Sequence, residues 1–135
     1  MTMPLLASFV APLVALQTAP ATAAKPSSLA EVPVEQATAP RCGIAFAIVQ
    51  GWQAVGDPRG EEWPAMEATD GREFFVQAMA RLIDLYSLDQ ADVQRLVQVE
   101  LTRHEADDGE AIQSMMPACL ALLRMTPLSA PEASE

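Results

Sequence analysis

The chain holds two cysteines, Cys42 and Cys119, and each lies in an apolar stretch near one end of the part that can fold. Bonded to each other, they would bring the first and last elements of that part side by side. The closed loop would be long, so the chain-entropy model gives such a bridge about 4–5 kcal/mol. That is comparable to the whole stability of a small domain. The competing reading is two free buried thiols in a reducing compartment, so the pairing depends on export of the chain. There is no C-x-x-C pattern, and a thioredoxin-like redox role has no support.

Residues 1–23 have the features of an export signal. The run Leu5–Leu16 is apolar apart from Ser8, and Ala21-Thr22-Ala23 fits the small-x-small rule for cleavage after residue 23. Pro4 and Pro12 interrupt a stretch that is already too short to span a bilayer. No Lys or Arg precedes the apolar run, a departure from the usual charged start. Arg41 stands directly before Cys42, where a lipid-anchor site needs a small residue, so no lipid anchor is expected. The expected location is periplasmic or secreted.

Residues 24–40 contain Pro26, Pro33 and Pro40 and few large apolar side chains, which predicts a disordered linker. Residues 127–135 read as a disordered tail. The helical domain expected between them, 41–126, is small enough that a covalent staple helps.

Half of the 135 residues are hydrophobic and aromatics are scarce. Alanine, leucine and valine dominate, which suits helices. The predicted fold class is all-α: a small four-helix bundle with one disulfide, its helices over about 42–55, 70–86, 90–105 and 110–125. In the first, Cys42, Ala45, Phe46, Val49 and Trp52 share a face. Gly51 inside it suggests a close helix contact. Asp57–Thr69 is a loop whose one large apolar residue, Trp63, is expected to fold down as a lid on the core. The second helix has capping-box spacing at Asp70-Gly71-Arg72-Glu73. The third has Leu88, Asp89 and Val93 placed as a hydrophobic staple around a cap, with a narrow apolar stripe of Val93, Leu96, Val97 and Leu101, and reads as the surface helix. In the fourth, apolar residues cover nearly the whole circumference, which predicts central burial, and Pro117 should kink or split it.

Net charge is −10, with Lys25 the lone lysine and the arginines scattered among acids. Phosphate-backbone binding needs clustered Lys and Arg, so nucleic acid is not an expected partner. Catalysis has little to stand on. There is no G-x-S-x-G, no S-x-x-K and no phosphate-cradling glycine loop, and no enzyme activity or cofactor is expected. His104 is the only histidine. Glu100, His104 and Asp108 follow i, i+4, i+8 spacing and are the candidate metal ligands, although Asp108 should lie past the helix end. One histidine among acids is more often simply solvated. Trp63 is the candidate binding residue.

The segments RCGIAFAIV, GREFFVQAMARLIDLYSLDQADVQRLV and MMPACLALL resemble a group of small exported bacterial proteins with no assigned function. The resemblance covers about residues 41–125; its motifs are structural and carry over no functional residue. In general character the chain also looks like the acid-stress chaperones of the periplasm, being short, helical and exported with one disulfide. It shares none of their sequence pattern and lacks their many lysines. The first expectation for function is a non-enzymatic exported protein that binds another envelope protein as an inhibitor, chaperone-like or structural component. The alternative is a metal or small-ligand binding protein of the periplasm. No stable membrane insertion of the mature form is expected.

Overall fold

Cys42 and Cys119, 77 residues apart, are bonded in the computed structural model, with Cα atoms 5.2 Å apart. The structure describes residues 24–128, and the expected signal, like most of the expected tail, lies outside them. Among the described residues the regular structure is helical: α1 Val34–Ala54, α2 Gly71–Tyr86, α3 Gln90–Ala106 and α4 Glu110–Met125, with short 3-10 turns at Leu29–Glu31, Pro58–Gly60 and Met66–Ala68. The disulfide ties α1 to α4, as expected.

α1 is the hub. Cys42, Gly43, Ile44, Ala45 and Phe46 are buried in succession, so this helix has no outward face along that stretch. It touches α2, α3, α4 and all three 3-10 turns. The expectation that α4 is central is corrected: Ser114, Pro117, Ala118, Arg124 and Met125 are exposed on it. Its leucines cover a wide arc but are only half-buried. Pro117 does not split α4, which runs unbroken through it; the proline lies on the exposed side.

The expected linker over 24–40 is also corrected. α1 starts at Val34, and the preceding residues pack rather than trail. Pro26, Leu29 and Val32 are buried, with Leu29 at 0 % exposure. Lys25 reaches α3, its Nζ 2.9 Å from an Asp92 carboxylate oxygen. Pro40 lies inside α1 with its ring buried, its missing N–H offset by the packing of the ring. The signal for this was present: Ala37, Pro40 and Ile44 fall at i, i+3, i+7, continuing the buried face of α1 backwards. At the other end Leu128 packs against the core instead of fraying.

The core has two lobes on either side of α1. One gathers Cys42, Phe46, Val49, Met66, Phe74, Ile112, Met116 and Cys119, with Phe46 and Phe74 edge to face at 5.5 Å. The other gathers Leu29, Val32, Ala37, Ile44, Met79, Leu82, Leu88 and Leu96. α1 and α2 meet at Gly43. A Cβ there would lie 2.7 Å from Phe75 Cδ2 and 2.9 Å from Phe75 Cα, so only glycine lets the two backbones come so close. Gly51, where that contact was expected, has nothing within 4 Å.

The helix starts divide the same way. Asp89 caps α3 as expected: its carboxylate accepts from the Asp92 N–H while Asp92 accepts from the Asp89 N–H. α2 is not capped by Asp70; the Thr69 hydroxyl accepts from the Gly71 N–H at 3.2 Å instead. α4 is capped by Asp107, which accepts from Gly109 and Ala111, across a turn in which Asp108 and Gly109 both have positive φ. No helix among the described residues is long and apolar enough to cross a membrane.

Candidate functional site

The loop between α1 and α2 has only two short 3-10 turns of its own, yet its backbone is pinned. Gln53, in the last turn of α1, is the pin. Its amide nitrogen donates to the carbonyls of Gly60 (3.0 Å), Trp63 (3.3 Å) and Pro64 (2.9 Å). Its amide oxygen accepts from the Met66 N–H at 2.9 Å. One side chain thus supplies the partners that a loop lacking a ladder would otherwise leave to water.

A second set of contacts fixes the loop to the α3–α4 turn. Arg59 donates to Asp57 at 2.7 Å and to the Asp108 carboxylate at 3.0 Å, and its guanidinium lies 4.5 Å from the centre of the Trp52 ring. Its bonds to Arg59 hold the Asp57 carboxyl below the usual carboxylate range. Trp52 packs over Gly109 so closely that a Cβ at that position would be 2.6 Å from the ring.

Trp63 sits where the sequence placed it, half-buried as a lid on the α1–α4 lobe. Its indole N–H donates to Gln113 of α4 at 3.1 Å, and Gln113 in turn donates to the Arg59 carbonyl at 3.2 Å. Trp63 also forms one wall of an open cleft of about 580 Å³ with Gln50, Gln53, Asp57, Glu61 and Glu67. Glu61 and Glu67 are exposed and ring its mouth with negative charge. A concave, acidic, rigidly braced surface of this kind suits a cationic group.

The three candidate metal ligands are not brought together. Glu100 and His104 are buried, at 1 % and 5 % exposure, whereas the Asp108 side chain is 97 % exposed and paired with Arg59. Among the described residues no three His, Cys, Asp or Glu groups gather as a metal site requires. His104 is therefore not the solvated histidine expected. Its Nε2 lies 3.6 Å from Glu100 Oε2, while Glu100 Oε1 lies 3.6 Å from Arg103. His104 Nδ1, Glu100 Oε2 and Arg41 Nε are all buried without a hydrogen-bond partner. Burial pushes the His104 pKa below its ordinary value; the Glu100 and Asp107 carboxylates oppose this, and Arg103 and Arg41 add to it.

The row Asp92, Leu96, Glu100, His104 repeats every four residues, and that period was the available signal that Glu100 and His104 share a buried edge with Leu96. Gln53, Arg59 and Gln113 gave no such signal, because their roles depend on which segments the fold brings together. No family model matches this chain, and neither a curated protein nor a solved structure matches it.

Proposed function

We propose that this chain is a non-enzymatic exported protein of the bacterial envelope that binds another protein there, taking a Lys- or Arg-bearing segment into the Trp63 cleft. The observation that carries this reading is the cleft itself. It is concave and walled by an indole, with Glu61 and Glu67 at its mouth on a loop that Gln53 and Arg59 hold in one conformation. Bracing of this kind lowers the ordering cost of association. A net charge of −10 supports capture of a basic partner, through faster encounter as well as local pairing. The disulfide fits an oxidising compartment, where such bonds persist.

A titration followed by two-dimensional NMR tests this. With a Lys- and Arg-rich peptide as probe, the Trp63 indole N–H and the backbone amides of residues 57–68 should shift saturably, and added salt should weaken the response. A Glu61→Gln, Glu67→Gln double variant should bind more weakly while keeping its fold. A response spread evenly over the surface, or none at Trp63, contradicts the proposal.

A further inference from the structure

α3 is attached to the rest of the molecule in an unusual way. Its buried residues are Asp92, Leu96, Glu100 and His104, so a single apolar side chain is accompanied by three ionisable ones. The other helices bury mainly apolar residues. Beside Leu96 and the half-buried Val93 and Val97, the hold on α3 therefore includes buried charge to a degree that the rest of the fold does not, and its two ends are held by groups of different kinds.

The first end is resistant to acid. Asp92 accepts from the Asp89 N–H and from Lys25 Nζ, and lies 3.4 Å from Arg95. These contacts hold its carboxyl down at about 2. The second end is not. There His104 lies against Glu100, with Arg41 of α1, Arg103 of α3 and Asp107 of the α3–α4 turn as the other charged groups acting on it.

We propose that α3 is an acid-operated flap: mild acidification releases its last two turns from α1, while its first turn stays fastened through Asp92 and Lys25. The physical reason is the cost of placing a cation at His104. The imidazole is buried, one ring nitrogen has no partner, and two guanidinium groups add positive charge nearby. Glu100 and the carbonyl end of the helix both favour a cation there, but desolvation outweighs them. The sign follows from linkage. A histidine whose folded pKa lies below its unfolded value of 6.5 binds its proton more readily once exposed. The hold on α3 is then complete above pH 6.5 and is lost as pH falls through the lower, folded value. This device is independent of the Trp63 cleft and does not require the binding proposed there.

Hydrogen exchange on the intact, oxidised chain at pH 7.5 and 5.5, corrected for intrinsic rates, tests the flap. Protection at residues 100–106 should fall several-fold on acidification, while residues 92–97 and α2 hold theirs. In His104→Gln the two ends of α3 should show no such pH-dependent difference. In Glu100→Gln the loss at pH 5.5 should be larger than in the unaltered chain, because the carboxylate that favours the imidazolium in the closed form is gone. Should either variant fail to fold, the NMR titration of His104 in the unaltered chain decides, with a midpoint below 6.5 expected. A midpoint at or above 6.5, a uniform loss across all four helices, or an unchanged pH response in His104→Gln overturns the proposal.

Discussion

The two lobes of the core share α1 but are closed by different chemistry. The lobe between α1 and α4 is sealed by the Cys42–Cys119 bond and lidded by Trp63, with Phe46, Ile112 and Met116 filling it. The lobe between α1, α2 and α3 has no covalent closure. A strap of residues 25–32 covers it, fastened by Leu29 and by the Lys25–Asp92 pair, and α3 lies over it with Asp92, Glu100 and His104 buried alongside Leu96 and the half-buried Val93 and Val97. The first lobe is closed by restricting the unfolded chain, the second by contacts made only in the folded one. A molecule built this way should come apart from the second lobe first.

The largest expected effect is on the first lobe. Replacing Cys42 and Cys119 with alanine should cost about 4–5 kcal/mol in the chain-entropy model, read by denaturant unfolding. A loss under about 1 kcal/mol would mean that the two lobes do not differ as described. Next is the strap. Leu29→Ala should cost about 2–5 kcal/mol, the range for a fully buried leucine; an effect near zero would return residues 24–33 to the status of a linker.

A smaller effect tests the α1–α2 seam, where both lobes meet. Gly43→Ala should destabilise by about 1–3 kcal/mol through overpacking against Phe75. Gly51→Ala on the same helix, with open space around it, should stabilise by about 0.5–1 kcal/mol. The opposite signs should appear as opposite shifts in melting temperature.

The smallest effect is in strong acid. The Asp92 carboxyl, held at about 2 by the Asp89 N–H and Lys25, adds stability that is present above its unfolded value and lost as pH falls through its folded one. Denaturant unfolding of Asp92→Asn should therefore depend less on pH between about 4 and 2 than the unaltered chain does.

The sequence made the helices and the disulfide legible and much of the packing around them illegible. Helix starts at Asp89 and Glu110, the helix over 71–86 and the disulfide all follow from local signals: a cap, an apolar period, two sulfurs on apolar faces. The strap was missed because its prolines outweighed Leu29 and Val32, whose burial depends on a groove formed by distant helices. The hub was misplaced for a similar reason. α4 is apolar around its circumference, but α1 has the small residues, Gly43 and Ala45, that admit neighbours closely on every side. The acids around His104 in sequence suggest a surface position; in space it is buried and within the electrostatic reach of Arg41, which the chain order does not reveal. The Trp63 lid was foreseen, but its fastening through Gln53 and Gln113 was not, since a glutamine has no periodic signature.

Native-state hydrogen exchange on the oxidised chain at neutral pH, followed through a series of sub-denaturing urea concentrations, tests the unequal closure of the two lobes most directly. The strap and α3 should exchange through openings of lower free energy than those that expose the α1 and α4 amides around Cys42 and Cys119. If α4 opens at lower urea than α3, or all four helices exchange only with global unfolding, the two lobes are not closed by unequal means.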